Sequence, residues 1–249
     1  GSGNIIRIAK EQKIPGLVYI TSDKCYLNKE TLSPYKEDDQ LGGIDFYSSS
    51  KASAELLFYS FYKNFYNKNK YLKIASARAG NVIGGGDTKK FRIIPDLYSS
   101  IKKKKKIFYL RSPSSVRPWQ HVLEPVTGYM TLGKKILNNE LSSDLNPSWN
   151  FGPNKKNVCT VKNLCNLFKK NFSYKINLKK NNSNKTFYES KLLYLSNKKA
   201  KNELNWTPLL NLKSTVKFTS DWYKKNLDSN LKLLRAETSK QVEIFNNFY

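Results

Sequence analysis

The chain has 249 residues and a mass of 28.8 kDa, and its 39% of hydrophobic residues exclude a disordered protein while allowing one large or two modest domains. No apolar run approaches the ~18 residues that span a bilayer, so we expect no membrane contact. The three cysteines and one histidine form no zinc-site pattern, so we expect no bound metal and a cytoplasmic protein. The net charge of +25 is typical of proteins that bind nucleic acids. Phosphate recognition favours arginine, however, and only six of the 44 basic residues are arginines, so we expect no nucleic-acid partner.

The hydrophobic pattern predicts helices and strands in alternation. In chain order we predict a helix over 4–13, a strand over 17–21, a helix over 47–66, a strand over 71–77, a helix over 93–101, a strand over 107–110, a helix over 124–137, a strand over 149–151, and helices over 161–170, 196–204 and 212–226. Polar or glycine-rich loops are predicted over 22–43, 84–86 and 179–185, and the last twenty residues predict a frayed end or a lone helix. This alternation favours an α/β fold with a parallel sheet.

The first residues do not form a dinucleotide-binding loop. Gly1 and Gly3 have the spacing of such a loop, but no strand precedes them and Ile6 occupies the position of the third glycine. Because the first residue is also not Met, we expect the chain to be a piece of a larger protein.

The first predicted strand ends in chemically useful side chains. In open α/β sheets, ligands bind beyond the carboxyl ends of the strands. There the chain places the hydroxyl of Ser22, the carboxylate of Asp23 and the ammonium of Lys24. Such a cluster can offer a proton donor and a proton acceptor together, although an ordinary polar strand end with an Asp–Lys contact has the same spacing.

A Y-x-x-x-K pattern follows at Tyr47 and Lys51, which lie one turn apart on the predicted helix. A lysine cation in that position favours the phenolate, which can take a proton from an alcohol while a hydride leaves the same carbon. Four other Tyr–Lys pairs match the pattern, at 59/63, 66/70, 98/102 and 194/198. Only Tyr47 begins a helix after a glycine-containing loop, just downstream of the first strand end.

Potential anion-binding residues follow the second strand. Asn81 offers an amide beside the glycines at 84–86, and Arg92 and Arg117 could clamp a diphosphate. His121 is the single histidine of the chain, and a structural role is the alternative for it. The glycine segment alone is equally compatible with a flexible loop.

Several longer strings carry a resemblance to a known family. They are T-S-D-K-C-Y at 21–26, Y-S-S-S-K-A-S-A-E-L at 47–56, S-A-R-A-G-N-V-I-G-G-G-D at 76–87, R-I-I-P-D at 92–96, V-R-P-W-Q-H-V-L-E-P at 116–125 and W-N-F-G-P at 149–153. In this order they resemble the CDP-D-glucose 4,6-dehydratases of the extended short-chain dehydrogenase/reductase superfamily, and the likeness covers the chain to about Lys225.

The resemblance implies an NAD-dependent lyase that oxidises a nucleotide-activated hexose at C4, eliminates water across C5–C6 and returns the hydride to C6, as a step of deoxysugar and lipopolysaccharide biosynthesis. Tyr47 would take the C4 hydroxyl proton, with Lys51 stabilising its phenolate and holding the cofactor ribose. Ser22 would hydrogen-bond the C4 oxygen, Asp23 would protonate the departing C6 hydroxyl, and Lys24 would assist removal of the C5 proton. The assignment within the Asp23–Lys24 couple is open.

The same resemblance implies that Asn81, Arg92, Arg117 and His121 hold the nucleotide part of the substrate. It divides the chain into a partial NAD-binding Rossmann domain over 1–83, a mainly substrate-binding domain over 84–226 with segments that return to the Rossmann sheet, and a tail over 227–249. The fold is then the C-terminal part of a doubly wound parallel sheet plus a smaller α/β substrate domain, without the N-terminal glycine-rich half.

The chain departs from the family pattern at several places. Phe46 replaces the usual proline before the tyrosine, Thr88 replaces a tryptophan, and Phe91 replaces an acidic residue, which weakens the inference about the substrate nucleotide. The missing half implies that this piece alone is inactive, and the family implies a homodimer of the full-length protein formed through the helix over 47–66. The alternatives are a nucleotide-sugar epimerase or another sugar-nucleotide dehydratase of the same superfamily and, from another class, a basic, non-enzymatic nucleic-acid-binding module.

Overall fold

The structure is a computed structural model that describes residues 1–31, 33–66, 68–143, 145–181, 192–225 and 231–248. Helices and strands alternate through these ranges. They are α1 (Ser2–Glu11), β1 (Leu17–Ile20), α2 (Phe46–Phe61), β2 (Ile74–Ala79), β3 (Asn81–Ile83), α3 (Ile93–Lys102), β4 (Ile107–Leu110), β5 (Val116–His121), α4 (Leu123–Leu137), β6 (Ser148–Phe151), β7 (Val158–Thr160), α5 (Val161–Lys169), β8 (Asn177–Lys180), α6 (Lys198–Leu204), α7 (Leu212–Lys225) and α8 (Leu231–Asn246).

Each predicted helix and strand has a counterpart, and the α/β class is confirmed. Four short strands, β3, β5, β7 and β8, were not predicted, because their three to six residues carry no clear alternation of apolar and polar side chains. The loop predicted over 179–185 is wrong at 179–180, which belong to β8, and its positions 182–185 lie outside the described residues. The helix predicted over 212–226 corresponds to α7, which is described up to Lys225, and the predicted position 226 lies outside the described residues.

The described part of the predicted tail forms helix α8 over Leu231–Asn246, and this helix is not a lone one. The side-chain amide of Gln241 in α8 donates a hydrogen bond of 2.8 Å to the carbonyl of Phe218 in α7. The indole N–H of Trp222 donates another, of 2.9 Å, to the hydroxyl of Thr238. The C-terminal helix therefore packs on α7.

The described residues divide into two compact units. Unit 1 takes those of Gly1–Gly80, Pro125–Pro153 and Leu192–Pro208. Its parallel sheet has the order β1-β2-β6, with Val18 opposite Ala75 and Ser76 opposite Ser148. All six residues of β2 are buried, as expected for the central strand of a parallel sheet.

Small residues let the elements of unit 1 approach closely. A Cβ atom at Gly128 in α4 would lie 2.3 Å from the ring of Phe151 in β6, so only glycine fits between helix and sheet there. The Phe151 ring in turn packs edge-on against Trp206 at a centroid distance of 5.0 Å. This apolar core holds the carboxyl ends of the strands in place.

Unit 2 takes the described residues of Asn81–Glu124, Asn154–Lys191 and Leu209–Tyr249. One sheet has the order β3-β5-β7, in which β3 runs parallel and β7 antiparallel to β5, and β4 pairs with β8 in a second, parallel sheet. Helices α3, α5 and α7 contribute Leu97, Leu164, Phe168 and Val216 to its core. The functional roles assigned to the domains 1–83 and 84–226 remain predictions.

None of the helices within the described ranges is both long and apolar enough to cross a membrane.

Candidate active site

The first strand ends in a short turn that buries a carboxylate. Beyond β1, a 3₁₀ turn covers Asp23–Cys25, and the Ser22 hydroxyl donates a hydrogen bond of 2.9 Å to Oδ1 of Asp23. The backbone N–H of Lys24 donates to the Ser22 hydroxyl at 3.3 Å, so Ser22 caps this turn. Asp23 is only 4% exposed. The predicted hydroxyl, carboxylate and ammonium thus come from one ordered segment of unit 1.

Two further groups lie beside the Asp23 carboxylate and were not predicted from the sequence. A Cβ atom at Gly80, just beyond β2, would lie 3.4 Å from Oδ2 of Asp23, so the second strand end approaches this carboxylate closely. Burial, together with the negative charge of Asp23, raises the pKa of Tyr129 in α4. Tyr129 therefore keeps its proton beside Asp23 and is a further hydroxyl near the candidate site.

Helix α2 carries the predicted Tyr–Lys pair and packs against the turn at Asp23–Cys25. Asp45 caps the helix, because its carboxylate accepts the backbone N–H of Ser48 at 2.9 Å and the hydroxyl of Ser48 at 2.6 Å. These hydrogen bonds lower the pKa of Asp45. The cap fixes the first turn of α2, on which Tyr47 lies.

Tyr47 and Lys51 have the geometry expected one helical turn apart. The Lys51 Nζ lies 5.6 Å from the centroid of the Tyr47 ring, and the tyrosine is 56% exposed, so a ligand can reach it. The Tyr59–Lys63 pair on the same helix shows nearly the same separation, 5.4 Å. The Tyr–Lys geometry alone therefore does not identify a site. Tyr47 differs from Tyr59 because it lies in the first turn of α2, directly after the Asp45 cap.

A buried ion pair connects α2 to the sheet and was missed by the sequence analysis. Nη2 of Arg78 lies 2.7 Å from Oε2 of Glu55, with side-chain exposures of 4% and 1%. Glu55 also accepts a hydrogen bond from Thr21, next to Ser22, and one of 2.9 Å from Ser76. A signal was available, because Arg78 is the one charged residue of β2.

The polar network continues from Arg78 to the segment that follows the Asp23 turn. Nη1 of Arg78 donates to the hydroxyl of Tyr26 at 2.7 Å and to the carbonyl of Glu37 at 3.0 Å. The Tyr26 hydroxyl donates to Oδ1 of Asn150 at 2.8 Å, and the Asn150 N–H donates to the Glu37 carboxylate at 2.9 Å. Burial raises the pKa of Glu37. The network ties the loop after β1 to the strands β2 and β6 of the sheet.

Unit 2 contains a cavity of about 260 Å³ that brings together part of the predicted nucleotide site. Its lining includes Asn81, Phe91, Asp96, Arg111, Arg117 and Trp119. The indole N–H of Trp119 has no hydrogen-bond partner among the described residues. Arg111 was not assigned a role from the sequence, although the clustering of arginines between 78 and 117 was the available signal.

The other two predicted nucleotide ligands are not part of that lining. Arg92 is exposed, and its Nη1 pairs with Oδ2 of Asp87 at 3.1 Å. His121 is buried against the Phe218 ring at a centroid distance of 5.5 Å, and its Nδ1 accepts the N–H of Leu123 at 3.4 Å. Burial lowers the pKa of His121 to about 4. The ligand-binding roles of Arg92 and His121 remain predictions.

The glycine loop after β3 is held by the aromatic residues of α7. A Cβ atom at Gly85 would lie 2.2 Å from the Trp222 ring, so this position admits no side chain while the ring stays in place. The Tyr223 hydroxyl donates a hydrogen bond of 2.6 Å to the carbonyl of Asp87. Gly86 has a φ of 83°, in the region that favours glycine. Within the described ranges, no three His, Cys, Asp or Glu side chains are grouped to bind a metal ion.

Comparison with known proteins gives matches over most of the chain. The model of the NAD dependent epimerase/dehydratase family matches residues 1–146. The CDP-glucose 4,6-dehydratase of Salmonella typhimurium strain LT2 is 35% identical over 233 residues, which are 90% of this chain. The chain spans only 63% of the length of that relative.

Solved structures show the same fold. The dTDP-glucose 4,6-dehydratase of Bacillus anthracis superposes with a TM-score of 0.71 at 21% identity, over 93% of this chain and 69% of its own. The UDP-glucuronic acid 4-epimerase of Bacillus cereus superposes with a TM-score of 0.75 at 16% identity, over 90% of this chain and 66% of its own. At these identities the likeness concerns the fold.

Proposed function

This chain belongs to the NAD dependent epimerase/dehydratase family, and on that premise we propose that it forms the catalytic part of a hydro-lyase that dehydrates a nucleotide-activated hexose at C4–C6. The observation that carries the proposal is the packing of α2, the helix on which Tyr47 and Lys51 lie, against the turn that buries Asp23. A redox group and an acid/base group belong together in this reaction, because elimination is easy only after a C4 ketone has acidified the C5–H bond.

CDP-D-glucose is the proposed substrate, and CDP-4-dehydro-6-deoxy-D-glucose the product. The 35% identity to the Salmonella CDP-glucose 4,6-dehydratase supports this choice over other nucleotides. In unit 2, the amide of Asn81 and the guanidinium groups of Arg111 and Arg117 line one cavity and offer donors for the diphosphate. Arg92 and His121 belong to the proposal on the sequence resemblance alone.

NAD is the proposed cofactor, and the chemistry it supplies when bound is reversible hydride transfer. The residues of this chain fit such a group at α2, because the exposed Tyr47 ring and the Lys51 ammonium next to it remain accessible to a ligand. Lys51 offers an ammonium donor for a ribose hydroxyl. The part that would hold the cofactor pyrophosphate has no counterpart in the motifs of this chain.

The side chains around α2 divide the proton transfers among them. Tyr47 acts as the phenolate that the Lys51 ammonium stabilises: it takes the proton of the C4 hydroxyl while the C4–H bond breaks, and it becomes the neutral phenol. Ser22 donates a hydrogen bond to the C4 oxygen. Asp23 gives its proton to the C6 hydroxyl, which leaves as water, while Lys24 assists removal of the C5 proton.

Activity is proposed for the full-length product of the reading frame that contains this chain. The chain spans 63% of the Salmonella relative, and we expect it to be inactive without a dinucleotide-binding segment. We further propose a cytoplasmic homodimer that contacts through α2, on which the large side chains Phe46 and Leu56 are exposed.

The test is an assay of that full-length product with NAD and CDP-glucose. NMR should show the C6 hydroxymethyl signal replaced by a methyl signal and a C4 ketone. Parallel assays with UDP-glucose and dTDP-glucose measure the preference for cytidine, and an assay of residues 1–249 alone should show no product. A full-length protein without product from any of the three sugars would contradict the proposal, whereas product from the isolated chain would contradict only the need for a further segment.

A nucleotide-sugar 4-epimerase is the second candidate, favoured by the fold likeness to the Bacillus cereus UDP-glucuronic acid 4-epimerase. It needs the Tyr47 hydroxyl but no acid for a departing C6 hydroxyl. The substitution Asp23→Asn separates the two, because it should abolish dehydration but leave epimerisation largely intact. Retention of the C6 hydroxymethyl group together with inversion at C4 would favour the epimerase.

A further inference from the structure

Phe91 has an unusual conformation at the edge of the unit 2 cavity. Its side chain is 84% exposed and lines the cavity together with Asn81, Arg111 and Arg117. Its φ is 65°, in the left-handed region that disfavours bulky side chains. A large apolar ring that is exposed on a strained backbone stabilises neither the loop nor the core, so folding does not explain it.

The chemistry around the ring matches one class of ligand. The two guanidinium groups and the amide offer donors to phosphate oxygens, while Phe91 offers a flat apolar face. A nucleoside diphosphate combines these two needs, because its base stacks on aromatic rings and its phosphates accept hydrogen bonds from arginine.

We propose that Phe91 stacks on the base of the bound nucleotide and sets much of the affinity for the nucleoside part. The inference rests on the proposed function, since it concerns the same nucleotide-sugar site. It differs from the family pattern, in which an acidic residue has this position. An acidic side chain cannot stack, so the stacking contact is a property of this chain.

The position immediately before α3 explains how the ring is presented. Arg92 precedes the first residue of α3 with extended backbone angles, and Asp96 in the first turn of that helix also lines the cavity. The left-handed turn at Phe91 therefore lies directly against a helix that forms one side of the cavity. Relaxing the backbone at 91 would redirect the side chain, which gives the strain a functional reason.

The test measures binding of CDP and of inorganic pyrophosphate to this chain by isothermal titration calorimetry. Phe91→Ala and Phe91→Asn should weaken CDP binding by about five- to thirty-fold and leave pyrophosphate binding unchanged, whereas Phe91→Tyr should stay within about two-fold of the original. Phe91→Asn should also raise the melting temperature, because asparagine tolerates a positive φ. A merely structural role predicts the opposite change in melting temperature.

Phe248→Ala is the matched control, because it removes another exposed phenylalanine of unit 2 that does not line the cavity. It should leave both ligands unaffected. Unchanged CDP affinity in Phe91→Ala would overturn the stacking role alone, with the nucleotide site intact. Absence of CDP binding in the original chain would overturn the nucleotide site and the stacking role together.

Discussion

Nη2 of Arg78 lies 2.7 Å from Oε2 of Glu55, and this ion pair connects the helix that carries Tyr47 to the central strand of the sheet. Both groups are buried, so the removal of either charge leaves the other without a counter-charge. The same carboxylate accepts the hydroxyl of Thr21, the residue before Ser22. Glu55 therefore joins the two segments that carry the proposed catalytic side chains.

Glu55→Gln should lower the free energy of unfolding by about 3–5 kcal/mol, because it leaves the Arg78 charge buried without a counter-charge. Urea denaturation of the two proteins gives this difference. Glu11→Gln is the control, since it breaks the exposed Arg7–Glu11 pair and should change the stability by no more than about 1 kcal/mol. Equal changes in the free energy of unfolding for Glu55→Gln and Glu11→Gln would contradict the prediction.

Tyr47→Phe in the full-length product should lower kcat by about 10²–10⁴-fold, because the phenolate oxygen is the proposed acceptor of the C4 hydroxyl proton. Binding of the nucleotide sugar should persist, since unit 2 supplies the proposed nucleotide contacts. Tyr59→Phe changes a tyrosine of the same helix with a similarly placed lysine, Lys63, and should leave kcat unaltered. A comparable loss in both variants would contradict the assignment of Tyr47.

His121 should make the protein less stable as the pH falls from about 6.5 to about 4. Burial lowers the pKa of the folded-state histidine to about 4, while the unfolded chain titrates near the ordinary value of about 6.5. Between these values the unfolded state binds more protons, so the free energy of unfolding rises with pH in this window, by on the order of 3 kcal/mol. His121→Asn, which keeps an acceptor for the Leu123 N–H but does not titrate, should flatten this slope. Urea denaturation at several pH values measures it, and identical slopes would contradict the prediction.

Gly85→Ala should destabilise the protein by about 1–3 kcal/mol, because the new methyl group would overlap the Trp222 ring. Gly133→Ala, in the middle of α4, has only an ordinary contact of 3.6 Å to Val18 and should instead stabilise the protein by about 0.5–1 kcal/mol. Thermal unfolding of both variants gives the signs. A rise in the melting temperature of Gly85→Ala would contradict this prediction and show that the Trp222 ring can move aside without a loss of stability.

The sequence predicted the long elements and the two segments of the candidate site, because apolar periodicity and local motifs depend on neighbouring residues. The strand β5 was not predicted, because its arginine, glutamine and histidine are polar and the sequence pattern therefore does not show that they are buried. Contacts with distant segments bury them. The Glu55–Arg78 pair was missed for a similar reason, because its partners are 23 residues apart and only the fold brings them together. Local patterns identified Tyr47 and Asp23, but not the buried network that supports them.

The interleaving of the units has a consequence for the order of assembly. Ser76 in β2 pairs with Ser148 in β6, 72 residues later, and unit 2 segments account for most of the chain between them. A growing polypeptide therefore completes the α1–β2 half long before the ribosome releases the strand that covers its other edge. Until then the polar ends of Ser76 and Arg78 lack their Ser148 partner. We expect the pairing of β6 with β2 to form slowly and late, because it joins strands that are distant in the sequence. The sheet without β6 is therefore the intermediate that we expect to aggregate most readily and to bind a chaperone.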